Sequence, residues 1–249
     1  MPEMTSYEHG VPSWVDIGTP DPQASLAFYS ELFGWQGQDQ GEEAGHYTIA
    51  SKGGKQVAAI SPSQDPGPPR WTTYINVNDI DGAASRAQAA GGAIIVSPMD
   101  VMGAGRMAIF TDTTGAIIAA WQPGSHLGAD LVNEAGAFIW SELTTSDLAK
   151  SKAFYTAVFD WGWGGVDEYA EAQVQDRTIA GVMPRPPDMP AELPDAWLVY
   201  FGSTDVDRDV KKAIELGGSV IVEPRDIPGT GRFAVLVDPQ GAAFGLFAA

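Results

Sequence analysis

The stretch Trp14–Trp35, WVDIGTPDPQASLAFYSELFGW, returns as Trp140–Trp161, WSELTTSDLAKSKAFYTAVFDW, at a separation of 126 positions, as 154 is from 28. Trp71 and Trp197, Tyr74 and Tyr200, Gly91-Gly92 and Gly217-Gly218, Gly105-Arg106 and Gly231-Arg232, and Gly115 and Gly241 keep that separation. A spacing held along the whole chain marks a duplicated unit, and two copies of one fold are what this chain must build. One patch slips: Val57–Pro62 resembles Ile179–Pro184 at a separation of about 122, which requires compensating gaps.

Within the first copy, residues 1–12 are polar and read as an arm outside the core, and Val11–Gly18 alternates as a strand. Asp21 and Pro22 then supply an N-cap and a first helical residue. The helix runs to about Phe33, with Ala24, Phe28 and Leu32 as its sheet-facing stripe and Gly34 as its stop; in the second copy Asp147 starts the helix and Phe154 and Val158 keep the stripe. Strands follow near Tyr47–Ser51 and Gln56–Ser61, then a proline-rich link, Pro62–Pro69. The pattern restarts with a strand Trp71–Val77, a helix from Asp79 to Ala90, and strands near Ala93–Val96, Arg106–Thr111 and Ala116–Gln122.

A fainter repeat therefore lies inside each half, with Trp14 over Thr72 and Asp21 over Asp79, 58 positions on. The expected fold is α+β, four βαβββ modules whose curled sheets enclose concave cups. The domains are expected at residues 11–123 and 137–249, joined by a linker at 124–136, with Pro184–Pro194 as the second copy of the internal link.

With 249 residues, 44% of them apolar, the chain is long enough for two ordinary cores. Fourteen basic residues against 32 acidic ones give a net charge of −18, which argues against nucleic acid and anionic membrane surfaces as partners. The absence of cysteine excludes disulfides, thiolate metal sites and cysteine nucleophiles. The N-terminal residues carry neither a basic nor an apolar signal region and no run approaches the length of a membrane span, so a cytoplasmic protein is expected.

The strand with its FYxxxFGW helix, the Gly-Gly pair, the GxGR turn and Asp238-Pro239-Gln240-Gly241 together resemble the vicinal oxygen chelate superfamily of glyoxalases, bleomycin-resistance proteins and extradiol dioxygenases, over nearly the whole chain. More narrowly the chain is similar to tandem actinobacterial members labelled glyoxalase-like or hydroxylase. Metal-dependent members of that superfamily place His, Gln or Glu at four cup-facing positions. Carried over, these fall on Trp14, the run Val57–Pro62, about Thr72 and Ala119, and in the second half on Trp140, Ile179–Pro184, Leu198 and Gly245. None offers a ligand, and His9, His46 and His126 are scattered among arm, outer strand and linker, so no metal and no other cofactor is expected.

If the first-strand position faces inward as the resemblance implies, alternation puts Trp14 with Asp16, and Trp140 with Glu142, on the cup faces. Tyr74, Asn76 and Trp121 join the first cup; Tyr200 and Phe247 join the second. Aromatic faces with polar tips suit a flat or hydrophobic organic ligand, although Trp and Tyr at sheet positions also serve as core. Core or module interface is the reading for Trp35, Trp71, Trp161 and Trp197. Asp16 and Glu142 are candidate acid–base residues or ligand anchors. Arg106 and Arg232 either clamp an acidic group or make structural ion pairs. The expected function is metal-independent binding of an aromatic or polycyclic small molecule, in natural-product metabolism or resistance, by a monomer that forms its own pseudo-dimer. The alternative is a lyase, isomerase or hydroxylase-associated enzyme using Asp16 or Glu142.

Overall fold

Asp21 accepts a hydrogen bond from the backbone N–H of Ala24, Pro22 occupies the first turn, and Gly34 adopts a left-handed conformation (φ 77°) that returns its N–H to Ser30. These three local devices bound the first helix. A computed structural model of the chain describes residues 4–63, 67–187, 189–190 and 192–249. Parts of the expected proline-rich links, residues 64–66, 188 and 191, lie outside the described residues.

The first half contains β1 (Pro12–Thr19), α1 (Pro22–Phe33), β2 (Gln36–Asp39), β3 (Thr48–Lys52), β4 (Lys55–Pro62), β5 (Arg70–Asn76), α2 (Ile80–Ala89), β6 (Ile94–Asp100), β7 (Gly105–Thr111) and β8 (Ile117–Pro123). The second half repeats this order with β9 (Phe138–Thr145), α3 (Leu148–Phe159), β10 (Gly162–Val166), β11 (Tyr169–Val174), β12 (Arg177–Pro184), β13 (Ala196–Gly202), α4 (Val206–Glu215), β14 (Ser219–Ile227), β15 (Gly231–Val237) and β16 (Ala243–Ala248). Each half builds one eight-stranded sheet, ordered β2-β3-β4-β1-β5-β8-β7-β6 and β10-β11-β12-β9-β13-β16-β15-β14. The two βαβββ modules of a half meet where β1 runs antiparallel to β5, and β9 to β13. The sheets are curled and open, four modules in tandem.

The cores do not respect the repeat. One joins Phe28, Tyr29, Phe33, Trp35 and Trp71 of the first half to Phe201 and Phe244 of the second. The other joins Phe110 to Phe154, Tyr155, Trp161 and Trp197. Helix α1 packs beside α4, and α2 beside α3. Polar groups close the same contacts: Tyr29 donates to Asp238 (2.9 Å) and accepts from Trp71 Nε1 (2.9 Å), while Trp35 Nε1 donates to the Gly136 carbonyl (2.7 Å). The equivalent set is Tyr155 to Asp112 (3.1 Å), Trp197 to Tyr155 (2.8 Å) and Trp161 to the Gly10 carbonyl (2.7 Å). Asp112 and Asp238 each also accept the backbone N–H groups of their own turn through the other carboxylate oxygen. The turn aspartate of one half is thus closed by the tyrosine of the other.

This placement corrects two expectations. The buried stripe of α1 is Ser25, Phe28, Tyr29 and Phe33, with Ala24 and Leu32 only partly buried, because the helix faces the other half as well as its own sheet. The arm is docked: Tyr7 donates to the Ala129 carbonyl (2.7 Å), Gly10 receives Trp161, and Met4 packs against the core.

Candidate functional site

Helices α1 and α2 cover one face of the first sheet, leaving the other face as the cup. The register puts Trp14 opposite Tyr74, Asp16 opposite Thr72, and Ala119 beside Tyr74, so these side chains share that face. At its centre Tyr47 and Tyr74 both donate to Asp16 Oδ2, at 3.0 and 2.9 Å, and Trp14 Nε1 donates to the Tyr47 hydroxyl at 2.8 Å. The second cup repeats the arrangement: Tyr169 donates to Glu142 Oε2 (2.8 Å), Tyr200 to Oε1 (3.1 Å), and Trp140 Nε1 to Tyr169 (3.0 Å).

The electrostatics follow from burial. Desolvation raises Asp16 from its ordinary 3.8 to about 6, against the opposing pull of its two phenol donors. Glu142 is raised for the same reason. Burial and the adjacent carboxylates push Tyr47, Tyr74, Tyr169 and Tyr200 upward, so all four remain protonated donors at neutral pH. Each cup therefore holds a carboxylate pinned by two phenols against an indole, a group able to accept a proton or a ligand's hydrogen bond.

The structure brings together Trp14, Asp16 and Tyr74, and likewise Trp140, Glu142 and Tyr200. It adds Tyr47 and Tyr169, which reading at the main repeat spacing misses: they lie 122 positions apart, the separation already carried by Val57–Pro62 and Ile179–Pro184. The difference from 126 arises where a loop containing a short turn at 42–44 separates β2 from β3, whereas β10 and β11 are joined by a tight hairpin. Trp121 turns its Nε1 to the His126 carbonyl (3.0 Å), and Phe247 lies partly exposed across from Phe233. Asn76 is spent on the arm, donating to the Tyr7 and Glu8 carbonyls. Arg106 and Arg232 lie on the helix side of their sheets, paired with Asp81, and with Asp207 and Asp226. Of their two readings, the structure shows the ion pair. Trp35, Trp71, Trp161 and Trp197 sit in the cores between the halves.

The donor set does not fit the divalent metal that the fold family implies. The second half has Gly181 and Gly245 within two of the family positions, and a Cβ there would collide with the Tyr169 hydroxyl and the Tyr200 ring respectively. Tyrosine rings fill the space that a ligand side chain would need. Among the described residues no three His, Cys, Asp or Glu side chains are grouped to hold an ion.

A pair of eight-stranded βαβββ sheets with cup-facing polar centres defines the class of tandem vicinal oxygen chelate proteins. The chain belongs to the glyoxalase/bleomycin resistance protein/dioxygenase superfamily, whose family model matches residues 12–119 and 137–246. It is 42% identical to a Mycobacterium bovis protein provisionally named glyoxylase CFP32, covering 98% of this chain and 97% of that one. It is 40% identical to the anthracycline biosynthesis protein DauV of Streptomyces sp. strain C5, over 97% and 94% of the two chains. The Mn(II)-bound glyoxalase from Novosphingobium aromaticivorans shares the fold at a TM-score of 0.67 and 16% identity, over 96% of this chain and 83% of that one. No helix among the described residues is long and apolar enough to cross a membrane.

Proposed function

We propose that the chain binds a flat, hydrophobic or aromatic small molecule in an aromatic-lined cup, without a metal, in natural-product metabolism or resistance. The observation that carries this reading is the Trp–Tyr–carboxylate–Tyr constellation, built in both halves where the family's ligand positions lack donors. Indole and phenol faces supply stacking area, and the carboxylate orients a donor on the ligand. Similarity to a protein named for anthracycline biosynthesis supports polycyclic aromatic compounds as the first candidates. The strongly acidic composition supports a small-molecule rather than nucleic-acid partner, and the crossed contacts between halves support a monomer acting as its own pseudo-dimer in the cytoplasm.

Tryptophan fluorescence titrated with polycyclic and quinone-like natural products tests this reading, with mass spectrometry on the same mixtures. Saturable quenching with the ligand recovered intact is expected, and no saturable response across the panel would refute it. One observation favours a second reading, enzymatic acid–base chemistry: a buried carboxylate of raised pKa held beside two phenols. That reading requires altered ligand mass or isomer composition, and a loss of turnover in Asp16→Asn or Glu142→Gln well beyond the loss of affinity.

A further inference from the structure

The two cups share a centre but differ at the mouth. In the first, the chain leaving β8 folds back: Gly124 and His126 donate to the Ala104 carbonyl, at 2.9 Å each, and Ala129 donates to the Ser13 carbonyl (2.8 Å). Tyr7 from the arm and Asp130 on the Gln56 N–H fasten this crossing segment. His126 is driven edge-on against Trp14, ring centroids 4.5 Å apart, and beside Trp121 at 5.8 Å. Trp14, Asp16 and Trp121 are left 4%, 8% and 7% exposed. In the second cup Trp140, Glu142 and Phe247 stay partly exposed.

The walls differ in charge too. Arg225 stands opposite Phe233 in the register, on the cup face shared with Phe247, its guanidinium 4.8 Å from the Phe233 ring centre. It is exposed, and near enough to Tyr200 to act on that phenol's ionisation. The first cup has Met99 opposite Met107 at the same register. A guanidinium on an aromatic wall offers planar, charge-assisted hydrogen bonds to an oxygen acceptor.

We infer that the second cup alone takes the ligand, and that the ligand carries an anionic oxygen placed against Arg225 while its ring lies along Trp140 and Phe247. The inference rests on the binding reading above and adds to it which cup works and what the ligand must present. The first cup is a closed copy, its mouth filled from within the chain.

Isothermal titration of the full chain with anthraquinone-2-sulfonate and with neutral 2-(hydroxymethyl)anthraquinone tests it. One equivalent of the sulfonate is expected. Arg225→Ala, at an exposed position, weakens the sulfonate tenfold or more and leaves the neutral probe within about twofold. Trp140→Ala abolishes binding of both, and Met107→Trp, which fills the first cup further, changes neither stoichiometry nor affinity. Two equivalents in the wild type, a loss in Met107→Trp, or an equal effect of Arg225→Ala on both probes would overturn the assignment. If neither these probes nor the wider panel binds the wild type, the binding reading itself fails and takes the assignment with it.

Discussion

Asp16 and Glu142 hold the same station with side chains one methylene apart in length, and the phenols answer the difference. Both tyrosines of the first cup converge on one oxygen of Asp16, whereas those of the second divide between the two oxygens of Glu142. Because burial raises Asp16 to about 6, the folded chain holds a proton there that the unfolded chain, at an ordinary 3.8, has already released. The native state is thus favoured below about pH 4 and loses that advantage as pH rises through about 6. Asn at this position keeps an acceptor for the phenols and never ionises. Asp16→Asn is therefore expected to gain stability relative to the wild type between pH 4 and pH 6, levelling off at about 2–3 kcal/mol. Chemical denaturation across that range checks this; a difference independent of pH would contradict it. The carboxylates were legible in the sequence because strand alternation places them beside Trp14 and Trp140. Tyr47 and Tyr169 were not, because each sits at a strand margin whose position is fixed by loop length.

At the scale of elements, each helix of the FYxxxFGW type does two jobs, packing on its own sheet and reaching into the other half. Tyr29→Phe and Tyr155→Phe each remove the donor from a buried turn aspartate, and each is expected to cost about 1–3 kcal/mol in urea unfolding with an unchanged m-value. A neutral result for both would show that the packing, and not the bond, joins the halves. The helix starts were readable from Asp21, Asp79 and Asp147, since each capping side chain acts within its own turn. The stripe of α1 was not, because what Tyr29 and Phe33 bury against arrives from residues 201 to 244. Strand β2, QGQD, is exposed at every position and has no apolar alternation to reveal it; only its pairing with β3 makes it a strand. Strand β6 extends past the expected Val96 to Asp100 through Pro98, which a sheet edge tolerates.

For the whole molecule, cores that mix residues of both halves predict unfolding in a single step, with tryptophan fluorescence and far-ultraviolet circular dichroism tracing coincident urea curves. Two separated transitions would mean that the halves hold their folds independently. The crossed tyrosine–aspartate contacts carry a further consequence for how such a chain can change. Every partner in them is repeated identically, Tyr29 as Tyr155, Asp112 as Asp238, Trp71 as Trp197, Trp35 as Trp161, Gly10 as Gly136, whereas the cups have drifted to Asp against Glu, Trp121 against Phe247 and Met99 against Arg225. A hydrogen bond whose two ends lie in different copies holds both of them, whereas an apolar contact or a cup wall tolerates a change of size, as Phe201 against Ile75 does. Duplication here released the cup walls to diverge while tying the polar contacts across the seam to one form.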